Sequence, residues 1–254
     1  MTSMMILPLA WPAWAPADTD VVLPLACCLL GYLGFWWAYY SEAFAHWFAK
    51  VDGGDRGEAL KVASLKIWGA VCMGVLPAAL MVRFTEWSLP DLGCLWTLEA
   101  PSDVWLWWVI LVGCTLFLSM ATAKQGAKNY PQIRAKHWSW ATMVISAGGW
   151  LIYLLAYEFM FRGYLLFPLA AEWGFWPAAA ASTLLYSLTH FHKGKGEVLW
   201  CLPVGILTCY MTYETGSLAL TFLGHLVVSW YNTAYHVRRN KDMAWAGGWA
   251  LEAP

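Results

Sequence analysis

The sequence has few charged residues. Lys, Arg, Asp and Glu make up 12 % of its 254 residues, and hydrophobic residues make up 60 %. A soluble domain has about a quarter charged and about half apolar residues, so this composition excludes an ordinary soluble fold. It indicates one integral membrane domain, with the lipid bilayer as its surroundings. The formal net charge of −1 gives no reason to expect nucleic acid as a partner.

Several local patterns are also missing. There is no internal repeat, which disfavours a transporter built from inverted halves. There is no HExxH pattern, and no serine or cysteine stands in a recognisable nucleophile motif. Of the seven cysteines, Cys94 lies in a clear loop and the others lie inside apolar runs, which makes a disulfide framework unlikely to form.

Long apolar runs are what the sequence has instead. A helix needs about 20 residues to cross a bilayer. The runs predict an all-α, polytopic transmembrane helical bundle of about seven spans, near Val21–Tyr40, Val62–Val82, Val104–Ala121, Trp140–Ala171, Trp176–Phe191, Val198–Tyr213 and Ser217–His236. The predicted organisation is an interfacial segment at 1–20, three transmembrane helices within 21–137, a core of four within 138–237 and a tail at 238–254.

The distribution of basic residues predicts the orientation of this bundle. Loops on the cytoplasmic side of a membrane carry an excess of Lys and Arg. The basic loops here are those that follow the first, third, fifth and seventh predicted spans. We therefore expect the N-terminus outside and the C-terminus in the cytoplasm. The first twenty residues have no basic segment, so we expect no removable signal peptide.

Polar residues inside the predicted spans form pairs four residues apart. Glu158 and Arg162 lie within one long apolar run, Gly148 to Ala171. A charge at bilayer depth costs a few kcal/mol, so this pair is a candidate functional site. Residues four apart share one face of a helix. Two further spans repeat the spacing, with Tyr186 and His190 in span five and His225 and Ser229 in span seven, where Asn232 follows.

The depth of these residues gives a further expectation. Spans four and five form a hairpin, and Glu158 and His190 lie at similar distances from its turn, on the order of 23 Å at 1.5 Å per residue. We therefore expect Glu158 and His190 to face each other. A straight span four would carry Glu158 too far across the bilayer. We expect a break at Gly148-Gly149, because glycine pairs are a known cause of kinks.

Three segments of the sequence resemble motifs of one family. Glu158 to Gly163 resembles the second half of the EExxxR motif of the CPBP membrane proteases, which include the CAAX prenyl endopeptidases and bacteriocin-processing proteins. Tyr186 to His190 is similar to the FxxxH motif of that family, and His225 to Ser229 is similar to its HxxxN motif. The order of the three motifs along the chain and the wide spacing between them also agree with the family. The resemblance covers roughly 148–236, so the first three spans carry none of it.

The chain departs from the family motifs at three positions. Tyr157 stands where the family has its first glutamate, usually taken as the residue that activates water. Tyr186 stands in the place of the phenylalanine of FxxxH, which is a mild change. Ser229 stands in the place of the asparagine of HxxxN, with Asn232 about one turn further on. These departures affect the chemistry rather than the family resemblance.

The resemblance implies a glutamic-type endopeptidase of a bacterial inner membrane that needs no cofactor. It would cleave a peptide or a membrane-anchored protein tail near the cytoplasmic face. Glu158 would act with His190 to position and deprotonate a water molecule. His225, with Ser229 or Asn232, would donate hydrogen bonds to the oxyanion.

Other interpretations of these residues stay open. Arg162 would hold Glu158 in place, and the two can also form a purely structural ion pair that joins helices. Glu158, His190 and His225 could form a three-ligand zinc shell with an open position. The alternative functions are a non-catalytic CPBP relative that binds a peptide or acts in immunity, which Tyr157 favours, and a proton-coupled transporter.

Overall fold

The computed structural model describes residues 15–51, 54–249 and 251. These residues form a bundle of helices, so the predicted all-α class is confirmed. The helices are α1 (Pro16–Tyr40), α2 (Glu42–Val51), α3 (Asp55–Ala70), α4 (Leu76–Phe84), α5 (Ser102–Ala121), α6 (Ala123–Gly126), α7 (Trp140–Glu158), α8 (Leu166–Trp173), α9 (Phe175–Leu188), α10 (Lys195–Thr215) and α11 (Ala219–Arg239). Two short strands, β1 (His137–Trp138) and β2 (Ala244–Trp245), pair in parallel.

Within the described part of the chain, four helical runs are long and apolar enough to cross a bilayer. They are Ala17–Tyr40, Asp55–Phe84, Ser102–Ala121 and Trp140–Trp173, and they coincide with the first four predicted spans. Helices α9, α10 and α11 occupy the other three predicted spans. Because α9 has 14 residues, fewer than the roughly 20 needed to cross a bilayer, the count of seven spans stays a prediction.

Two of these runs contain a π-helical turn. Val71–Val75 links α3 to α4, and Phe159–Tyr164 links α7 to α8. Such turns are rare and often occur at functional sites. All six residues of Phe159–Tyr164 are buried, which places this turn inside the bundle. It begins directly after Glu158 and contains Arg162.

The expected break at Gly148-Gly149 is wrong. Helix α7 runs without interruption from Trp140 to Glu158, and the irregular turn follows it. Gly149 has another purpose, because a Cβ atom there would lie 2.7 Å from Cδ of Lys66 on α3. The glycine therefore makes room for a side chain of the neighbouring helix rather than for a bend.

The ends of the described chain add detail to the predicted organisation. Residues 1–14 of the predicted interfacial segment lie outside the described residues, and α1 begins at Pro16. Helix α2, between the first two predicted spans, is an addition to the predicted elements. At the other end, α11 continues to Arg239, and β2 then lies beside β1 with Ala244 opposite His137. Part of the predicted tail thus packs against the start of the predicted core.

The core of the bundle lies around the turn Phe159–Tyr164. Its aromatic side chains share one hydrophobic cluster with Met73 of the other π-helical turn and with Tyr186 of α9. That other turn packs against α7, where a Cβ atom at Gly74 would lie 2.8 Å from Cβ of Ala156. Small residues permit such close approaches between helices in membranes. The packing holds the turn that carries Arg162 in a fixed position.

Candidate functional site

Glu158 and Arg162 form an ion pair inside the bundle. Their side chains are 2 % and 1 % exposed, and Nη1 of Arg162 lies 3.4 Å from Oε2 of Glu158. Removing a single charge from water costs several kcal/mol, so each of these buried groups depends on its partners. The predicted proximity of the two side chains on one helical run is thus seen.

Arg162 also has partners on two other helices. Its Nε and Nη2 atoms donate to Oγ1 of Thr208 on α10, at 3.1 and 2.7 Å. The guanidinium carbon lies 4.1 Å from the ring centre of Tyr186 on α9, which is a cation–π contact. Arg162 therefore joins α9 and α10 to the π-helical turn. This network fixes the guanidinium beside Glu158.

His225 on α11 donates a hydrogen bond to the same carboxylate. Its Nδ1 atom lies 2.6 Å from Oε1 of Glu158, and the histidine side chain is 24 % exposed. An ionised carboxylate can only accept hydrogen bonds, so Nδ1 carries a proton. In the neutral histidine, Nε2 is then the nitrogen that can accept a proton.

His190 lies just after α9, at the start of the 3₁₀ turn Phe191–Lys193. Its Nδ1 atom lies 3.1 Å from the carbonyl oxygen of Tyr186 and 3.1 Å from Oγ1 of Thr189. Because a carbonyl oxygen only accepts, Nδ1 carries the proton here too and Nε2 is the accepting nitrogen. The two histidines are thus held in the same tautomer by different partners.

Tyr157 lies beside both histidines. The centre of its ring is 6.3 Å from that of His190 and 5.8 Å from that of His225. Its hydroxyl oxygen lies 2.5 Å from Oγ1 of Thr189, the residue that contacts Nδ1 of His190. The aromatic residue in the place of the family's first glutamate therefore has a structural connection to His190.

Ser229 and Asn232 follow His225 on α11 and are 2 % and 6 % exposed. Both contribute to the wall of the cavity that contains Glu158. Nδ2 of Asn232 donates to Oγ of Ser119 on α5 at 3.3 Å. This bond ties α11 to α5. Ser229 lies closer to His225 along the chain, at the position of the family's asparagine.

The predicted residues meet at two neighbouring cavities. The larger has a volume of about 790 Å³, and its wall includes Glu158, Arg162, Tyr186, His190, His225, Ser229 and Asn232. The smaller has a volume of about 450 Å³, and Tyr157 lies in its wall. His190 and His225 line both cavities. The polar contacts of Glu158 within the described chain are with Arg162 and His225, while His190 reaches the same cavity from the turn after α9.

Lys66 lies near this site and was not among the site residues predicted from the sequence. It belongs to α3, is 4 % exposed and lines the smaller cavity. Its ammonium nitrogen lies 3.0 Å from the ring centre of Trp150. A desolvated cation–π contact contributes about 2 kcal/mol, which is less than the several kcal/mol that burial of an ammonium group costs. Its place in an apolar span was the signal that could have identified it.

In the described part of the chain, no group of three or more His, Cys, Asp and Glu side chains is placed to hold a metal ion. The ligands proposed from the sequence, Glu158, His190 and His225, do not form such a group. Glu158 instead uses its two oxygens for Arg162 and His225.

The fold and the site define a polytopic membrane protein with a carboxylate and two histidines at internal cavities. Residues 138–231 match the family model Rce1-like, described as Type II CAAX prenyl endopeptidase Rce1-like. This match confirms the resemblance of this part of the chain to the CPBP and CAAX proteases. Comparisons with curated proteins and with solved structures give no match.

The matched segment coincides with the site but not with the whole bundle. It contains Tyr157, Glu158, Arg162, His190 and His225 and ends one residue before Asn232. Helices α1 to α6 lie outside it. The residues that these helices contribute to the cavities therefore lie outside the matched segment.

Proposed function

We propose that the protein is an intramembrane glutamic-type endopeptidase that cleaves a peptide or a membrane-anchored protein tail near the cytoplasmic face. The observation that carries the proposal is the 2.6 Å hydrogen bond between Glu158 and His225 at the wall of the larger cavity. The family match supports peptidase chemistry. The basic loops support an orientation with the N-terminus outside and the C-terminus in the cytoplasm. A bacterial inner membrane is the location that the resemblance implies.

Peptide hydrolysis needs a base for the attacking water, donors for the oxyanion and a proton for the leaving amine. In the proposed reaction Glu158 and His225 supply the base as a unit. Nε2 of His225 accepts a proton from water, and Glu158 stabilises the imidazolium that forms, as the carboxylate of a catalytic triad does. The hydroxide oxygen bonds to the carbonyl carbon. The proton then passes to the amine nitrogen as the C–N bond breaks.

His190 and Ser229 complete the proposed reaction from the same cavity. Nε2 of His190 accepts the second hydrogen of the water, so that two acceptors fix its orientation. The hydroxyl group of Ser229 donates to the oxyanion, in the role that the asparagine of the HxxxN motif suggests. In this reaction the first proton of the water passes to His225 rather than directly to Glu158. Glu158 already accepts a hydrogen bond from His225 and lies beside the positive charge of Arg162.

A second candidate function rests on Tyr157. A non-catalytic relative that binds a peptide, for example in immunity, needs no glutamate at this position, and Tyr157 contacts Thr189 instead. Tyr157→Glu separates the two functions. A weakened enzyme should gain turnover when the glutamate is restored, whereas a binding protein should show none before or after the change.

The main test uses the full chain, purified and reconstituted in liposomes with a mixture of quenched fluorogenic peptides that differ around the cleavable bond. Mass spectrometry identifies the products. Because a positioned base contributes about 10²–10⁴-fold to a rate, Glu158→Gln and His225→Gln should each lower turnover at least a hundredfold. His190→Ala should also lower it. Glu172→Gln, which changes an exposed carboxylate on α8, is the matched control and should retain full turnover.

Two outcomes would reject the proposal. One is full turnover in Glu158→Gln with the protein correctly folded in the membrane. The other is the absence of any product with wild-type protein across the peptide mixture, which would leave the binding function as the better account of the site.

A further inference from the structure

Lys66 is a buried lysine without an anionic partner among the described residues. Its ammonium group lies 3.0 Å from the ring centre of Trp150 and 5.3 Å from that of Tyr153. Two other lysines of the same cavity wall are paired, Lys61 with Glu58 at 2.5 Å and Lys193 with Glu197 at 2.8 Å, and Lys128 is exposed. Aromatic rings offset the burial of Lys66 only in part, because they cannot neutralise its charge.

The position of Lys66 is built into the packing of two helices. Gly149 on α7 leaves the space that the lysine stem fills, since a Cβ atom there would lie 2.7 Å from Cδ of Lys66. The ammonium group is thereby held at the smaller cavity, which has a volume of about 450 Å³. His190 and His225 line this cavity as well as the larger one. A ligand in the smaller cavity would therefore reach the proposed reaction centre.

We propose that the smaller cavity binds a carboxylate carried by the peptide substrate, with Lys66 as its cation. The inference rests on the proposed function, because it requires a peptide substrate that occupies both the larger and the smaller cavity, which meet at His190 and His225. The aromatic part of the wall, with Phe35 and Trp150, suits the apolar part of a peptide. Lys128 and Arg134 also line this cavity but are exposed, so the buried Lys66 is the cation best placed to fix the orientation of a ligand. The carboxylate can come from the chain terminus or from an acidic side chain.

The test measures binding rather than cleavage, with the full chain in detergent micelles and N-terminally labelled apolar hexapeptides. One pair of peptides ends in a free carboxylate or in a carboxamide. A second pair is amidated and contains an internal aspartate or asparagine. Fluorescence anisotropy gives the four dissociation constants. At least one carboxylate peptide should bind ten or more times more tightly than its neutral counterpart, and the pair that shows the difference identifies the source of the carboxylate.

Lys66→Met should abolish this preference, because it removes the charge and keeps most of the stem. Lys61→Met is the matched control, since Lys61 lines the same cavity but is paired with Glu58. The preference should survive in that variant. Equal binding of all four peptides to wild-type protein overturns the proposal, and this comparison needs no variant to fold. A preference that persists in folded Lys66→Met also overturns it.

Failure of the proposed function gives a different pattern from failure of this inference. A protein that prefers carboxylate peptides through Lys66 but cleaves none of them retains the binding subsite and loses the peptidase assignment. A protein that cleaves peptides but binds acids and amides equally retains the peptidase assignment and loses the subsite.

Discussion

The hydroxyl oxygen of Tyr157 lies 2.5 Å from Oγ1 of Thr189. Thr189 in turn donates to the carbonyl oxygen of Tyr186 at 2.6 Å and lies 3.1 Å from Nδ1 of His190. Because the threonine hydroxyl donates to the carbonyl, Tyr157 is the donor to Thr189. The residue in the place of the family's first glutamate thus supports His190, although it provides no carboxylate.

Tyr157→Phe should weaken the support of His190 without changing the shape of the core. A neutral hydrogen bond contributes about 1 kcal/mol net, equal to roughly a fivefold change in an equilibrium. We expect turnover to fall about fivefold and the free energy of unfolding to fall by about 1 kcal/mol. The measurements are peptide turnover in liposomes and chemical unfolding in detergent.

Tyr164→Phe is the control for this change. Tyr164 is fully buried, and its hydroxyl group has no hydrogen-bond partner in the described structure. Removal of that hydroxyl should leave both turnover and stability close to those of the wild type. Equal losses in the two variants would show that the effect comes from the core in general and not from the bond to Thr189.

Arg162→Met should destabilise the protein strongly, since it leaves the carboxylate of Glu158 buried beside a neutral side chain. Breaking a buried ion pair by removing one partner costs about 3–5 kcal/mol. The double variant Glu158→Gln with Arg162→Met should be more stable than Arg162→Met alone, because no uncompensated charge remains. A double-mutant cycle on the free energies of unfolding measures the coupling. Additive losses would contradict a direct interaction between the two side chains.

Thr208→Val tests the anchoring of the same guanidinium group from α10. The change removes the acceptor of two hydrogen bonds from Arg162. Bonds to a charged group contribute about 1.5–3 kcal/mol net, so a loss of this size is expected in the free energy of unfolding. Ser187→Ala is the control, because the buried hydroxyl of Ser187 has no partner within the described chain. A similar loss in both variants would argue against the anchoring role.

The sequence was sufficient to predict the features that depend on hydrophobicity and on motif residues. The first four spans follow from apolar runs, which fix helix type and approximate ends. Glu158, His190 and His225 were selected because polar groups at bilayer depth are costly and therefore informative. The structure brings all three to one cavity wall.

The partners of these residues could not be predicted, because they depend on how each helix is rotated and on local irregularity. Counting residues along the hairpin placed Glu158 opposite His190, but the hydrogen bond of Glu158 is with His225. The π-helical turn after Glu158 changes the direction of the following side chains, and no glycine pair marks it. Lys66 carries a sequence signal, a charge inside an apolar span, but its contact with Trp150 became visible only in the packing of α3 against α7. Thr208 became recognisable as a part of the site only when α10 was seen beside the π-helical turn.

Gly74→Ala should destabilise the contact between the first π-helical turn and α7. The new Cβ atom would lie 2.8 Å from Cβ of Ala156, which is too close for two carbon atoms. Overpacking of this kind costs about 1–3 kcal/mol, more than the roughly 1 kcal/mol that alanine gains over glycine in a helix. The free energy of unfolding should therefore fall, although the substitution is favourable for the isolated helix.

A second substitution shows whether the clash is the cause. Ala156→Gly removes the opposing methyl group, so Gly74→Ala combined with Ala156→Gly should be more stable than the sum of the single losses predicts. Gly148→Ala is the matched glycine control on α7, because a Cβ atom at Gly148 meets nothing within 4 Å. That variant should be as stable as the wild type or gain up to about 1 kcal/mol. Strict additivity in the double variant would mean that the two residues do not contact each other in the membrane.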